Sequence, residues 1–342
     1  MGALDGLRVV DLTLFLPGPM LTMMMAGEGA SVIKIEPPGG DPARAMPPFD
    51  AAGQSVWFGA VNRGKECRRL DLKDEAGRAV LEALVAEADV LVEGFRPGTL
   101  ARLGLDPAAL RRRYPRLVTA SLSAFGGTGP MAQHPAHDLV VQALSGFLSV
   151  NDAADGTPVV PGVPSADLAA SLTGLSAILM ALLQRERTGH GAHCDVAMLD
   201  SLLPWCAHLA GEALLGGAAP VSARQRSLGG AAFYRPYRCK DGRFVVLGGR
   251  EEKFARALLE AAGRPDLIPL SQAPAGEQEE LAAFLEAMFA ERDRDDWSAW
   301  FDGREVAFAP VLDFAEAFAS QAARARGLVE QAGFASPIRI EA

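Results

Sequence analysis

Leu7-Arg8-Val9-Val10-Asp11-Leu12, broken by Pro17-Gly18-Pro19, runs through a helical stretch at 20–27 into Ser31-Val32-Ile33-Lys34-Ile35-Glu36. This stretch decides the fold. Two β-rich runs flank one helix within about 30 residues, the length of a parallel crossover, since parallel neighbours cannot be joined by a tight hairpin. Pro37-Pro38-Gly39-Gly40 stops the second run. Outward from this unit the alternation continues. Residues 69–72 read as a short strand, 74–87 as an amphipathic helix, 89–93 as a buried strand and 117–122 as another. Such alternation predicts an α/β fold, a doubly wound, mostly parallel (Rossmann-like) sheet with helices on both faces. Ligands of such sheets bind beyond the carboxyl ends of the strands, here the loops after Leu12, Glu36, Glu93 and Ser123.

A long Ala- and Leu-rich helix is expected at 165–188, closed by Gly189 and Gly191, with a further helix at 195–210. Near residue 225 the pattern changes to Phe233-Tyr234-Arg235-Pro236-Tyr237 and the strand-like Phe244-Val245-Val246-Leu247-Gly248, with 253–262 helical. The expected organisation is a large α/β domain at 1–195, linker helices at 196–224, a smaller α+β domain at 225–305, and a C-terminal return to the large domain at 306–342 that begins with 306–311.

The composition, 49% hydrophobic and 22% charged over 342 residues, excludes wholesale disorder. A net charge of −9 argues against a general nucleic-acid binder, which needs a basic surface to neutralise phosphates. Cys67, Cys194, Cys206 and Cys239 form no CxxC pair, so neither a disulfide framework nor a metal site of usual spacing is expected. The start Met1-Gly2-Ala3-Leu4-Asp5-Gly6 lacks a basic region followed by an apolar run, and the apolar stretch 175–183 is too short to span a bilayer. A cytoplasmic protein with no membrane partner is expected. Leu14-Phe15-Leu16-Pro17-Gly18-Pro19 stands where a dinucleotide fingerprint would follow the first strand, and neither a Walker sequence nor a GxSxG elbow occurs.

Three segments hold candidate chemistry. In Pro135-Ala136-His137-Asp138-Leu139-Val140-Val141, His137 and Asp138 fall at a helix start, where free N–H groups favour anions. His137 there is a candidate base with oxyanion donors nearby, or a surface residue beside a capping Asp138. In Val163-Pro164-Ser165-Ala166-Asp167-Leu168, Asp167 opens the most apolar helix, as N-cap or functional acid. In Gly248-Gly249-Arg250-Glu251-Glu252-Lys253, Glu251 either orients a histidine or substrate, or simply favours a helix N-terminus. Arg111-Arg112-Arg113, Arg68 and Arg69 read as solvated charges.

Taken together, these segments resemble the family III CoA-transferases and their relatives the α-methylacyl-CoA racemases (CaiB/BaiF-like). The resemblance extends over nearly the whole chain. Its most specific pieces are residues 4–12, 29–36, Leu70-Asp71-Leu72-Lys73, 89–98, Leu103-Gly104-Leu105, 142–146 and 187–200, in the family's order. It implies an interlocked homodimer in which each chain threads through a hole in its partner, the active site lying between the large domain of one subunit and the small domain of the other. It implies coenzyme A as part of the substrate, with no tightly bound cofactor. By motif match Leu70, Asp71, Leu72, Lys73, Gly94, Phe95 and Arg96 line the nucleotide, with Arg102 near its phosphates and Arg44 and Arg63 as further candidates. Met20, Met23, Met24 and Met25 are candidates for a flexible apolar wall.

Two chemistries meet in this family. In the transferases an aspartate matching Asp167 attacks the acyl-CoA thioester and CoA passes to a carboxylic acid acceptor through an aspartyl-CoA thioester. In the racemases the matching aspartate and a histidine exchange the α-proton across opposite faces of the α-carbon. His137-Asp138 and Glu251 match the racemase pattern; transferases commonly carry an aromatic residue at His137, and no run of four glycines occurs in the small domain. The main expectation is therefore 1,1-proton transfer. Ala166-Asp167-Leu168-Ala169-Ala170 and Gln142-Ala143-Leu144-Ser145-Gly146 resemble transferase members instead and carry the alternative, CoA transfer. An inactive acyl-CoA-binding homologue is the third reading.

Overall fold

The computed structural model describes residues 2–153, 155–330 and 333–340, so Met1 and the last two residues of the 306–342 segment lie outside it. The chain divides into two compact units. Unit 1 comprises residues 2–147, 161–205 and 321–340, and unit 2 residues 148–160 and 206–320.

Unit 1 is built in order from β1 (Arg8–Leu12), α1 (Pro17–Gly27), β2 (Ser31–Glu36), α2 (Val56–Asn62), β3 (Glu66–Arg69), α3 (Glu75–Ala86), β4 (Val90–Glu93), α4 (Thr99–Arg102), α5 (Pro107–Arg113), β5 (Val118–Ser123), α6 (Asp138–Leu144), α7 (Ser165–Thr188), β6 (His193–Ala197) and α8 (Met198–Leu202). Its sheet is parallel throughout, in the order β3-β2-β1-β4-β5-β6. The doubly wound sheet read from the first 36 residues is present. Val9 pairs with Val32 on one side and Val90 on the other, and Leu12 pairs with Glu93. Alternate residues serve opposite faces. Val9, Val90 and Val92 join Leu21, Met25 and Ile178 in one core, whereas Val10, Leu12 and Leu91 join Leu81, Val85 and Leu110 in the other. Burial of a side chain as complete as that of Leu81 is worth about 1.5–3 kcal/mol.

Proline starts α1 rather than delaying it: Pro17 occupies its first turn, where a missing N–H costs nothing. The helix expected at 20–27 thus begins three residues earlier. Met25 is fully buried in the core, which removes it from a flexible ligand wall. The expected strand at 69–72 lies earlier, as β3. The expected helix at 195–210 is corrected in part: Cys194-Asp195-Val196-Ala197 belongs to β6, paired with β5, and an α-helix at 198–202 continued by a 3-10 helix at 203–206 follows.

α7 runs as expected from Ser165 to Gly189, whose φ of +74° ends it. Its inner face is small: Ala166, Ala169, Ala170, Gly174 and Ala181 are buried against the sheet and α1. A Cβ on Gly174 would lie 2.6 Å from Leu21 Cδ1, so a larger residue there would require the Leu21 side chain to shift. By length and composition α7 is, among the described helices, the one able to cross a membrane, yet half of it is packed into this core.

Unit 2 contains α9 (Gly211–Leu214), β7 (Tyr234–Arg238), β8 (Phe244–Gly248), α10 (Glu252–Ala261), α11 (Glu279–Phe289), α12 (Arg294–Phe301), β9 (Phe308–Pro310) and α13 (Phe314–Phe318). Its strands form an antiparallel sheet, β7-β8-β9. An aromatic core surrounds Phe289, stacked on Tyr237 at 5.0 Å and edge-on to Trp297 at 5.1 Å. The chain was expected to leave for the large domain at 306–311. Instead, Val246 pairs with Ala309 in β9, and the return begins only at Gln321. That return carries α14 (Gln321–Ala325) and the short hairpin β10 (Val329–Glu330) and β11 (Gly333–Phe334). Arg63 fastens it to the rest of unit 1, donating to Phe334 O at 3.1 Å and pairing with Glu330.

Candidate active site

The carboxyl ends of β1 to β5 frame two cavities that share Phe95. One, of about 420 Å³, is walled by Leu12, Leu14, residues 36–38 and the segment Leu70, Asp71, Leu72 and Lys73. It is lined mostly by apolar groups with a few charges, the usual make-up of a small-molecule site. The 70–73 segment is a built turn. Leu70 donates its amide to Glu36 O at 2.9 Å, extending the pairing past β3. Asp71 Oδ1 accepts the amide of Lys73 at 2.9 Å, and Arg78 donates to Lys73 O at 2.7 Å. Gly77 permits the fit, since a Cβ there would lie 2.0 Å from Asp71 O. Gly77 and Arg78 were not singled out in the sequence, because their contribution depends on α3 packing beneath the turn.

Gly94, Phe95 and Arg96 form the next turn. Glu93, buried at the end of β4, accepts the amide of Phe95 at 2.7 Å, and burial raises its carboxyl above the usual range. Arg102 is exposed on α4 and donates to Thr99 Oγ1 at 2.8 Å; Thr99 lines the cavity, Arg102 does not. Arg44 and Arg63 are engaged elsewhere. Arg44 forks onto Glu36 at 2.7 and 2.6 Å and lies over the Phe58 ring, while Arg63 holds the C-terminal return.

The second cavity, of about 440 Å³, runs from Phe95 and Arg96 to His134, Ala136, His137 and Val140. His137 is the N-cap of α6 in extended backbone, exposed, and its side chain caps nothing. The rings of Phe15 and His137 stand perpendicular, 6.2 Å apart between centroids. Phe15 is the one non-glycine among the described residues with positive φ, +62°.

Asp138 does cap a helix, but not its own. Pro164 stands at the N-cap of α7 and has no side-chain acceptor to offer. Asp138 Oδ1 fills that role from α6, accepting the amides of Ala166 at 2.7 Å and Asp167 at 3.1 Å. Gln142, one turn along α6 and 1% exposed, donates to the other oxygen of Asp138. This contact ties the residue after His137 to the backbone of Asp167. The sequence could suggest it only as an N-cap proline lacking an acceptor.

Asp167 therefore sits in the first turn of α7 rather than at its cap, half-buried. Among the described residues its carboxylate makes no hydrogen bond or ion pair. Burial first, and the negative charge of Asp138 second, push its pKa up to about 7. A carboxylate so poorly solvated is suited to attack a carbonyl or to exchange a proton near neutrality. Glu251 lies in unit 2, exposed at the N-cap of α10, and its side chain does not cap that helix. The four cysteines are free thiols, and among the described residues no cluster of His, Cys, Asp and Glu could hold a metal ion.

Comparison with known proteins gives the family. The chain is 38% identical to acetyl-CoA:oxalate CoA-transferase of Acetobacter aceti, covering 97% of this chain and 86% of that protein. It is 34% identical to the α-methylacyl-CoA racemase of Homo sapiens, over 92% of this chain and 79% of the relative. A crystal structure of a CaiB/BaiF family protein from Brucella suis superposes with a TM-score of 0.88 at 32% identity, covering 99% of this chain and 93% of the other. The sequence pattern of CoA-transferase family III matches residues 4–339, and the chain belongs to that family.

Proposed function

We propose that this enzyme transfers CoA from an acyl-CoA donor to a carboxylic acid acceptor, with Asp167 as the nucleophile. The observation that carries the reading is Asp167 itself, a half-buried carboxylate with no hydrogen-bond or ion-pair partner among the described residues and a pKa raised to about 7. The greater likeness to a transferase, 38% against 34% for the racemase, puts CoA transfer ahead of the proton transfer expected from His137-Asp138 and Glu251. An oxygen of Asp167 attacks the thioester carbonyl, the C–S bond breaks, and the CoA thiolate leaves a mixed anhydride. The thiolate then attacks the aspartyl carbonyl, releasing the first carboxylate and leaving Asp167 as a CoA thioester. The acceptor carboxylate repeats the sequence in reverse, so Asp167 is regenerated and no water is consumed. Splitting one exchange into acyl steps is covalent catalysis by a carboxylate. In this reading Leu70, Asp71, Leu72, Lys73, Gly94, Phe95 and Arg96 receive the CoA, with Arg102 at the rim.

Trapping tests it. Incubation with acyl-CoA and hydroxylamine should leave a hydroxamate on Asp167, identified by peptide mass spectrometry, and Asp167→Ala should lose both label and transfer. A second reading retains support from His137, exposed in the cavity beside Phe15. For α-proton transfer, 2-methylacyl-CoA in deuterated water would gain deuterium at the α-carbon, and His137→Ala would abolish the gain. A protein that only binds acyl-CoA would show neither result, and Asp167→Ala would alter affinity alone.

We also infer an interlocked homodimer acting in the cytoplasm. Leu172, Leu179, Met180 and Leu183 form one exposed apolar stripe on the outer face of α7, and Met180 is 68% exposed. A stripe of this kind calls for a cover, and in this reading a second copy is that cover. A monomer on analytical ultracentrifugation would remove this inference.

A further inference from the structure

Beneath the β1–α1 loop lie four charged side chains that the proposed chemistry does not use. Lys34 and Lys65 have fully buried side chains, and Asp11 and Asp41 are as deeply placed. Lys34, the register partner of Asp11, donates to Thr13 O at 2.6 Å and pairs with Asp41 at 3.0 Å. Lys65 donates to Pro19 O at 2.8 Å and pairs with Asp11 at 3.0 Å. Asp11 takes the amide of Thr13 at 2.8 Å, and Asp41 faces the amide of Phe15 at 3.5 Å. Two ammonium groups thus grip the loop at Thr13 and Pro19, and two carboxylates hold it from within. Between these grips Phe15 adopts a left-handed backbone that a bulky residue leaves unless its surroundings over-determine it. Ser171, one turn after Asp167 on α7, donates to Pro17 O at 2.7 Å and joins the same loop to that helix.

Burying charge in this way is costly, and apolar replacements often match buried ion pairs in stability. The geometry points to another return. We propose that Lys34 and Lys65 are positioning residues: with Asp11 and Asp41 they hold residues 13–19 in a strained, preformed conformation that sets Phe15 against His137 and the loop against the start of α7. The proposal rests on the reading that Asp167 is the nucleophile, to which the His137 segment is joined by the Asp138 cap. A fixed wall there restricts the acyl group to one approach to Asp167, and a small misplacement of reacting groups is worth large factors in rate.

The test uses hydrogen exchange, which needs no turnover, beside kinetics. In the wild-type protein, peptides covering 13–19 should exchange as slowly as β1. Lys34→Met with Asp41→Asn, which leaves no unpaired buried charge, should speed exchange there at least tenfold and lower kcat about tenfold, with KM for acyl-CoA within about twofold. Phe15→Gly keeps every buried charge and suits the left-handed backbone. It should keep the protection, lower kcat, and shift the ring-proton resonance of His137. Fast exchange of 13–19 in the wild type overturns the proposal, as does a loosened loop with unchanged kcat, or Phe15→Gly with unchanged kcat and His137 resonance. Should the double variant fail to fold, the wild-type exchange and Phe15→Gly decide. An enzyme with no activity on any acyl-CoA removes the assigned reaction, while the exchange and His137 data still decide the loop.

Discussion

Asp167→Asn should abolish the reaction and stabilise the protein, by an amount that depends on pH in a defined way. The Asp167 carboxyl has a pKa of about 7 in the folded chain against 3.8 as its ordinary value. Between these limits the folded state keeps a proton that the unfolded state has released. Stability therefore falls as pH rises from about 4 to about 7, and the penalty is complete above the folded value. Three units at 1.36 kcal/mol each set a ceiling of about 4 kcal/mol. Asp167 is only half-buried, so solvent screening reduces this, and a gain of about 2–3 kcal/mol at pH 8 is expected. Any pH-independent cost of the new amide cancels when variant and wild type are compared at several pH values. Urea unfolding at pH 4.5, 6 and 8 should show the difference growing with pH and then levelling. A difference that is flat or shrinks as pH rises would refute the raised pKa. The cause would be the familiar trade-off in which a reactive group is kept at the expense of stability.

Three further outcomes follow from the site. Asp138→Asn removes the like charge beside Asp167, so the acid limb of the pH–rate profile should move to lower pH; an unchanged limb would leave burial as the sole cause of the raised pKa. Gly77→Ala places a methyl group 2.0 Å from Asp71 O. It should cost about 1–3 kcal/mol in thermal or urea unfolding and raise KM for acyl-CoA with kcat preserved. Glu36, held by Arg44 and the Asp41 amide against its burial, has a pKa of about 2 in place of 4.5. Its contribution is complete above the ordinary value and is lost as pH falls toward 2, so Glu36→Gln should flatten the acid unfolding curve by roughly 3 kcal/mol at most.

Much of unit 1 was legible because continuous apolar runs such as Val9-Val10 and Val90-Leu91-Val92 mark strands buried on both faces of the sheet. β6 was not. Cys194-Asp195-Val196-Ala197 runs straight into Met198-Leu199-Asp200-Ser201-Leu202, and helix-favouring residues on one side hid a short edge strand whose identity comes from pairing with β5. Pro17 read as a breaker where its fixed φ serves a helix start. At the site, Asp167 and His137 could be named from local pattern. The cap from Asp138 to α7 spans 28 residues of sequence, and nothing in either segment alone encodes it. Phe15 escaped for a similar reason: a left-handed phenylalanine has no signature, since the groups that hold it come from β1, β2 and the segments after β2 and α2.

The two excursions of the chain out of unit 1, at 148–160 and 206–320, bear on how the protein is made. A ribosome delivers the six strands of the parallel sheet by residue 197, but the segment that fastens onto Arg63 arrives more than a hundred residues later. Nascent unit 1 must therefore wait, its edge near α2 bare, while unit 2 emerges. Pairings this distant in sequence slow folding and lengthen exposure to aggregation. Recombinant yield should be governed by this interval, and chains stalled after Ser320 should be the species that chaperones retain.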